Sequence, residues 1–308
     1  MGGARRLTEL GRLSSLLDQG RFVVTGELVP PRTADPEAVR RVARRLRGMV
    51  DAVNVTDNAA ARVAMAPIPA AVLVAAEGLE PVLQLTCRDR NRLALAADLL
   101  GAHALGVRAI LCLSGDPIEV GPFTDAKAVF DLDAVGLTRL AADLGQGVGP
   151  GGTAVGGPAP FLIGAAEAPG VDPSGGARLE AKIAAGARFV QTQPVFDVAG
   201  FTVWLERVTG RGLAEKAAIL AGVLPPRSAA QLERFAGLPG WSVPQETLAR
   251  LRAARDQRAE GIALAVEVVG QVRELPGVRG VHLMGLGPDS GVPEVVEAAG
   301  LLPRPLPG

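Results

Sequence analysis

Short apolar runs alternate along the chain with longer segments whose apolar residues recur at helical spacing. The short runs are predicted to be strands, at 22–25, 52–55, 81–85, 107–113, 161–164, 189–192, 218–221 and 280–283. The longer segments are predicted to be helices, at 36–50, 67–76, 91–105, 133–144, 177–185, 201–209 and 228–235, with two more in 246–275 and one at 293–299. The order is therefore strand then helix, repeated eight times.

This repetition predicts a fold of the α/β class. Neighbouring parallel strands need crossover connections, and a helix after each strand supplies them. Eight units favour closure into a (β/α)8 TIM barrel of a single domain, and the 308 residues suit a fold that commonly takes about 250. A doubly wound open sheet is the alternative architecture.

One stretch interrupts the rhythm. Residues 145–160 are rich in Gly and Pro, and we expect a flexible loop there. The stretch contains Gly147-x-Gly149-x-x-Gly152, which has the spacing of a dinucleotide-binding fingerprint. That fingerprint requires a strand before it and a helix after it, whereas the predicted order here is the reverse. A connecting loop is therefore the favoured interpretation.

Composition narrows the function. The net charge is zero, with 32 basic and 32 acidic residues and no long basic run, so a nucleic-acid partner is not expected. Cys87 and Cys112 lie in apolar runs, which is typical of buried reduced cysteines, and no Cys or His spacing predicts a metal site. Residues 1–19 lack the apolar segment of a secretion signal, and no stretch is apolar enough to span a bilayer. We expect a cytoplasmic protein without a membrane partner.

A barrel of this type places its active site at the carboxyl ends of the strands. The residues at or just after the eight predicted strand ends are Glu27, Thr56, Thr86, Asp116, Ala165, Gln193, Pro225 and Gly285. Two carboxylates, an amide and two hydroxyls in this set could protonate a substrate, offset a positive charge and bind a polar heterocycle. These positions are the candidate site.

Each candidate also has an ordinary structural interpretation. Glu27 is next to apolar Leu28 and Val29, which would desolvate its carboxyl and suit a general acid, and a helix-capping or salt-bridged glutamate is the alternative. Asp116 follows a glycine that allows close approach of a ligand, and an Asp before Pro is also common in turns. Gln193 points to the same side of its strand as Gln191, so it either contacts a ligand or pairs with Gln191.

Nine segments in order along residues 22–302 make the sequence resemble the methylenetetrahydrofolate reductase family. They are Glu27-Leu-Val-Pro-Pro31, Val53-Asn-Val-Thr-Asp57, Leu83-Gln-Leu-Thr-Cys-Arg-Asp-Arg-Asn91, Ile110-Leu-Cys-Leu-Ser-Gly-Asp-Pro117, Ala128-Val-Phe-Asp-Leu132, Gln191-Thr-Gln-Pro-Val-Phe-Asp197, Gly222-Val-Leu-Pro225, Pro239-Gly240 and Gly280-Val-His-Leu-Met284. The sequence is most similar to the reductase half of bacterial bifunctional proteins that also carry a homocysteine methyltransferase domain. The resemblance implies that residues 1–308 form one barrel of this family.

The resemblance implies an oxidoreductase of one-carbon metabolism and methionine biosynthesis. NADH or NADPH would reduce FAD, and methylenetetrahydrofolate would then take the hydride in a ping-pong reaction. Glu27 corresponds to the family's general acid and Asp116 to a carboxylate near flavin and pterin. Gln193, Gln231 and Phe235 correspond to substrate contacts. Members of the family form homo-oligomers, and a methyltransferase is an implied partner.

The implied flavin contacts are Thr56, Asp57, Gln84, Ser114, Gly115, Asp116 and Lys182, with Lys182 near the phosphates. Several positions depart from the family pattern. The chain has no tyrosine, and Ala128 and Ala168 stand where aromatic flavin contacts are expected. Gln84 replaces a usual histidine, and Gly175 an acidic ribose contact. Two alternatives therefore remain, a flavin-independent folate oxidoreductase on the same barrel and a reductase subunit that depends on a partner.

Overall fold

The computed structural model describes residues 10–171, 174–235, 240–285 and 290–305. Residues 1–9 of the amino terminus and Pro239 of the segment Pro239-Gly240 lie outside this part. The eight strands are β1 (Val23–Leu28), β2 (Ala52–Val55), β3 (Pro81–Thr86), β4 (Ala109–Leu113), β5 (Leu162–Glu167), β6 (Phe189–Pro194), β7 (Ala218–Val223) and β8 (Val278–Leu283). All pair in parallel in sequence order, and β8 pairs with β1. The predicted closed barrel is confirmed, and the open sheet is ruled out.

The helices follow in chain order, and those after α1 cover the outside of the barrel. They are α1 (Gly11–Asp18), α2 (Pro36–Leu46), α3 (Pro67–Ala76), α4 (Arg92–Ala104), α5 (Ala134–Leu144), α6 (Ala177–Ala185), α7 (Val198–Gly210), α8 (Ala229–Phe235), α9 (Gln245–Ala253), α10 (Gln257–Arg273) and α11 (Val292–Ala298). None of the helices in the described part of the chain is long and apolar enough to cross a membrane.

Side-chain caps set several of the helix starts. The carboxylates of Asp133, Asp197 and Asp256 each accept a hydrogen bond from a backbone N–H in the first turn of α5, α7 and α10. Such caps satisfy N–H groups that have no partner within the helix. These helices therefore start at positions that local sequence determines, and the predicted starts of α5 and α7 differ from the structure by at most three residues.

The predicted loop at 145–160 connects α5 to β5, so the glycine fingerprint does follow a helix and precede a strand. It contains a short 3-10 turn at Pro150–Gly152 and an isolated bridge between Val148 and Ala154. This connection cannot support a dinucleotide in the way the fingerprint does, because no helix begins after its glycines.

The apolar core has two parts. The larger part fills the space between the strands and the surrounding helices. The smaller part lies inside the barrel at the amino ends of the strands, where Leu13 and Leu16 of α1 pack against Val23, Phe189 and Leu220. Phe189 occupies space that requires a glycine opposite it, since a Cβ at Gly164 would lie 2.2 Å from the Phe189 ring. Helix α1 thus closes the amino end of the barrel.

The inner surface becomes polar toward the carboxyl ends of the strands. Thr25, Asn54, Gln191 and His282 are all at most 2% exposed and project into the barrel. The two cysteines lie on β4 and just after β3; both are free and buried, as predicted, and burial raises the pKa of the Cys87 thiol to about 12. The interior is therefore divided into an apolar base and a polar mouth.

Candidate active site

Glu27 lies near the end of β1 with its side chain 14% exposed. It continues the inward row that contains Thr25, because side chains two residues apart on a strand share a face. Its Oε2 is 3.7 Å from Nε2 of His282, which is on the neighbouring strand β8. A carboxyl group at the mouth, still open to solvent and close to an imidazole, can exchange a proton with a bound ligand.

Asp116 follows β4 on the exposed rim of the barrel. Its Oδ2 accepts a hydrogen bond of 2.9 Å from the backbone N–H of Ala60, in the connection after β2. That connection holds Asn58, Ala60 and Ala61 at φ values of 46°, 53° and 51°. Non-glycine residues in this region carry a cost of about 1 kcal/mol or more each, and they concentrate at functional sites. Asp116 therefore fixes a strained loop through Oδ2 and leaves an exposed carboxylate on the rim.

Thr56 and Asp57, predicted flavin contacts, follow β2 but differ in how their side chains are used. Thr56 Oγ1 is buried and has no hydrogen-bond partner among the described residues. The Asp57 carboxylate is fully buried and accepts bonds from Thr86 and from Arg90, at 2.7 Å for the shortest. Burial acts to lower the pKa of Arg90, but the hydrogen bond to Asp57 and the negative charges of Asp57, Asp98 and Asp89 together outweigh it, and the pKa is raised. Thr56 has a free hydroxyl for a ligand, whereas Asp57 supports the loop after β3.

Gln84, Ser114 and Gly115 line the adjoining part of the mouth. Gln84 is inside β3 and only 7% exposed. Ser114 Oγ accepts a 3.2 Å hydrogen bond from the backbone N–H of Ala134 at the start of α5. Gly115 has φ +95°, and an added Cβ would lie 3.0 Å from side-chain carbons of Thr86 and Arg88. Glycine is needed here for the turn itself, which leaves its backbone accessible at the rim.

Lys182 is the predicted phosphate contact, and the structure places it in a buried ion pair. Its Nζ is 2.6 Å from Oε1 of Glu167 and 2.5 Å from the carbonyl oxygen of Ala166. The Lys182 and Glu167 side chains are each 6% exposed. The positive charge of Lys182 is therefore already matched by a carboxylate.

The two glutamines of β6 have separate roles. Gln191 is buried and exchanges two hydrogen bonds with Asn54, at 2.6 and 3.1 Å, and its Nε2 also donates to Thr25. Gln193 is nearer to the mouth and only partly buried. Gln191 is thus satisfied by Asn54 and Thr25, so the alternative in which the two glutamines pair with each other is not needed. Gln193 remains a candidate ligand contact.

Gln231 and Phe235 share helix α8, which follows β7. Gln231 Oε1 accepts a 2.8 Å hydrogen bond from the backbone N–H of Arg227, which leaves its amide N–H groups for another partner. The Phe235 ring stacks on Trp241 at a centroid distance of 5.3 Å, and Phe196 lies 6.4 Å from Trp241 on another side. These three rings form an aromatic cluster beside the strand ends β6 and β7.

Sequence reasoning missed three residues that shape this site. His282 and Arg90 lie in two of the nine matching segments, and Glu167 precedes Ala168, but the sequence predicted no function for any of the three. A signal was present for His282, because a histidine in an otherwise apolar strand of a closed barrel must face either the helices or the polar mouth. No local signal pairs Glu167 with Lys182, since that contact depends on how α6 packs against β5.

The chain is similar to known proteins over most of its length. The family model for methylenetetrahydrofolate reductase matches residues 12–300. Methylenetetrahydrofolate reductase 1 of Schizosaccharomyces pombe is 27% identical over 234 residues, which are 73% of this chain and 36% of that protein. The 5,10-methylenetetrahydrofolate reductase of Pectobacterium carotovorum is 29% identical over 237 residues, which are 73% of this chain and 72% of that protein. The chain thus spans little more than a third of the length of the fission yeast relative.

Solved structures share the fold at low sequence identity. An uncharacterized protein from Clostridium thermocellum, described as binding two copies of 5-methyl-5,6,7,8-tetrahydrofolic acid, superposes with a TM-score of 0.69 at 13% identity. The match covers 94% of this chain and 99% of that one. At this identity the likeness concerns the barrel fold.

Proposed function

The chain belongs to the methylenetetrahydrofolate reductase family, and on that premise we propose that it reduces 5,10-methylenetetrahydrofolate to 5-methyltetrahydrofolate with NADH or NADPH as reductant. The observation that carries the proposal is Glu27, a partly sheltered carboxyl group at the mouth, 3.7 Å from His282. The fold neighbour from Clostridium thermocellum, described as binding the proposed product, supports a folate as ligand.

The proposed reaction needs an acid and a site for a cation. The Glu27 carboxyl gives its proton to N10 of the folate, and the bond between N10 and the methylene carbon breaks. The remaining N5 methylene iminium cation accepts a hydride from the reductant and becomes the N5 methyl group. The free Asp116 oxygen at the rim stabilises the cation through its negative charge. The overall reaction consumes one NAD(P)H and one proton.

Substrate contacts follow from the placement of the remaining side chains. Gln193 at the end of β6 binds the pterin by hydrogen bonds, and Gln231 uses its amide N–H groups, which its bond from Arg227 leaves available. Phe235, held by its stacking on Trp241, offers a ring to the aromatic part of the substrate. Together these residues orient the reacting carbon toward the reductant.

FAD, which the family implies, fits part of the mouth. The unpartnered hydroxyl of Thr56 and the amide of Gln84 are polar groups available to a flavin ring. The diphosphate end does not fit in the same way, because Glu167 already neutralises Lys182. An anionic diphosphate at this position would meet a neutral ion pair. The residues therefore fit the ring of the flavin but not its phosphates, and the proposed chemistry above requires no flavin step.

Because the pair of Glu167 and Lys182 disfavours a flavin whose diphosphate contacts Lys182, it motivates a second candidate, direct hydride transfer to the folate from a nicotinamide cofactor whose diphosphate lies elsewhere on the barrel. Both candidates use Glu27 in the same way and differ in the hydride carrier. A third arrangement, a reductase subunit that needs a methyltransferase or electron-transfer partner, would require no hydride carrier bound to this chain.

A visible absorbance spectrum of the purified chain, followed by anaerobic addition of NADH and then methylenetetrahydrofolate, separates these candidates. Flavin bands that bleach with NADH and return with the folate support the ping-pong reaction with FAD. A colourless chain that oxidises NADH only when the folate is present supports direct transfer. A chain that does neither, with and without added FAD, contradicts the proposed reductase activity of the isolated chain.

A further inference from the structure

A row of buried polar side chains connects Glu27 to the far wall of the barrel. Gln191 Nε2 on β6 donates to Thr25 Oγ1 on β1 at 3.0 Å, and Thr25 Oγ1 is 3.0 Å from Nδ1 of His282 on β8. Asn54 on β2 fixes Gln191 through two hydrogen bonds. The row ends at Nε2 of His282, which faces Oε2 of Glu27.

The hydrogen bonds of Thr25 are compatible with a proton on Nε2 of His282, since a hydroxyl can either accept from Nδ1 or donate to it. Thr25 Oγ1 accepts from Gln191, so the single hydroxyl hydrogen of Thr25 is free to be donated to Nδ1 of His282. When Thr25 donates, Nδ1 is the acceptor and a neutral imidazole carries its hydrogen on Nε2. That N–H points toward Glu27.

The position of this row is unusual for a barrel core. The same interior is filled with leucine and phenylalanine at the amino ends of the strands, where nothing has to be bound. Replacing both partners of a buried hydrogen bond by apolar groups of the same shape can be nearly neutral, so packing alone does not require these polar residues. His282 is 2% exposed, and its Nε2 is the end of the row that meets the candidate acid.

The distance between Glu27 and His282 bears on the kind of effect expected. At 3.7 Å the two atoms are beyond hydrogen-bond length, so His282 and Glu27 make no hydrogen bond in this structure. When Glu27 loses its proton, the new negative charge attracts the Nε2–H, and the distance between Nε2 and Oε2 shortens to that of a hydrogen bond. An interaction that strengthens only as charge develops lowers the barrier and leaves substrate binding unchanged.

We propose that His282 is a positioning residue that stabilises the Glu27 carboxylate as Glu27 gives its proton to the folate, in the orientation that Thr25 and Gln191 impose on the imidazole; this inference rests on the proposed reductase function. The O–H bond of Glu27 breaks and an N10–H bond forms on the folate. The imidazole keeps its hydrogen on Nε2 throughout and donates it to the carboxylate as a hydrogen bond. Glu27 later regains a proton from solvent.

Two substitutions distinguish the contribution of the Nε2 contact with Glu27 from that of the Nδ1 contact with Thr25. In His282→Gln the side-chain amide nitrogen can reach the position of Nε2, so a donor toward Glu27 is kept. In His282→Asn the amide reaches only the position of Nδ1, so the contact with Thr25 is kept and the donor toward Glu27 is lost. We expect His282→Asn to lower kcat roughly ten- to hundredfold with KM within about twofold, and His282→Gln to retain most of kcat.

The outcomes are distinct for each claim. Equal losses in both variants, or a loss confined to KM, would overturn the inference, because a packing defect does not distinguish the two amides. Glu27→Gln tests the proposed function separately: if that variant still reduces the folate, Glu27 is not the acid and the proposed function needs revision. The control is His103→Gln, which changes the other histidine of the chain, on helix α4, and should keep the wild-type kcat.

The tautomer can be measured without any activity. With two histidines in the chain, ¹⁵N labelling of the wild-type protein and of His103→Gln assigns the His282 ring nitrogens unambiguously. We expect the hydrogen on Nε2, and at Nδ1 we expect the ¹⁵N chemical shift of an unprotonated nitrogen that accepts a hydrogen bond. A hydrogen on Nδ1 would overturn the inference even if the His282 variants failed to fold.

Discussion

Lys182 Nζ lies 2.6 Å from Glu167 Oε1, and each side chain is only 6% exposed. The lysine also donates to the carbonyl oxygen of Ala166, so the pair is fixed between helix α6 and the end of β5. A carboxylate placed here changes the local charge from positive to neutral. The site is consequently better suited to a ligand with little negative charge at this end than to a diphosphate.

Glu167→Gln should therefore have two opposite effects. Stability should fall by about 2–4 kcal/mol, because Lys182 remains buried with a neutral partner. FAD should bind roughly tenfold more tightly, since an unmatched cation would attract its phosphates. Urea unfolding measures the first effect, and quenching of flavin fluorescence measures the second.

Glu180→Gln is the matched control, because Glu180 pairs with Arg211 on the surface with 53% of its side chain exposed. Exposed pairs contribute within about 1 kcal/mol, so this variant should behave like the wild type in both measurements. Unchanged flavin affinity in Glu167→Gln would show that Lys182 does not face the phosphates.

Glu27→Gln should abolish folate reduction while the fold and the binding of the folate persist. The amide has nearly the same shape and cannot give a proton to N10, so we expect a loss of roughly a hundredfold or more in kcat. Stopped-flow measurement separates oxidation of the reductant from reduction of the folate in the flavin-dependent case, and only the second should be lost. Glu119→Gln, an exposed glutamate after β4, should leave both unaffected.

Asp116→Asn should isolate the charge of this residue from its structural bond. The asparagine oxygen can still accept the N–H of Ala60, so the loop after β2 keeps its conformation. The negative charge that offsets the substrate cation is lost, and we expect kcat to fall roughly ten- to hundredfold. If the chain binds a flavin, its reduction potential should also rise.

Asp116→Ala provides the comparison, because it removes both the charge and the loop contact. A further loss of stability should accompany it, as measured by urea unfolding. Identical stability and identical kcat in Asp116→Asn and the wild type would place Asp116 outside the reaction.

The fold was largely predictable because its signals are local. Apolar runs, Gly and Pro positions and Asp caps recur with each strand and helix, and the structure extends the strand predictions at β1, β5 and β6 by two or three residues toward the mouth. Helix α1 was missed. It has eight residues and its stability comes from tertiary packing, since Leu13 and Leu16 fill the amino end of the barrel.

The site was predictable in position and less so in its pairings. Residues at strand ends were assigned to the mouth because a barrel closes them into one ring. Which side chains pair with each other depends on strand register and helix packing. No sequence pattern predicted the ion pair between Arg90 and Asp57 or the one between Lys182 and Glu167. The roles of Gln231 and Phe235 remain predictions from the family resemblance.

Glu80 offers a test at the opposite end of the barrel. Its Oε2 accepts a 2.8 Å hydrogen bond from the backbone N–H of Leu13 in the first turn of α1, and its Oε1 is buried without a partner among the described residues. Burial raises the pKa of Glu80 from 4.5 to about 7, against the opposing effect of the bonds from Leu13 and Arg12. Arg12 and Asp51 are the nearby charges, and they act in opposite directions.

A carboxyl whose pKa is raised on folding binds more protons in the folded than in the unfolded state, between pH 4.5 and about 7. Stability from this group is therefore lost as the pH rises through that window, and the difference corresponds to at most about 3 kcal/mol. Glu80→Gln cannot ionise and keeps an acceptor for Leu13, so it should gain on the wild type by about 1–3 kcal/mol between about pH 5 and about pH 8. Urea unfolding at both pH values measures the gain, with the exposed Glu297→Gln expected to follow the wild type. A constant difference between Glu80→Gln and the wild type across this range would mean that Glu80 is ionised normally in the folded chain, and α1 would then be anchored by a charged cap.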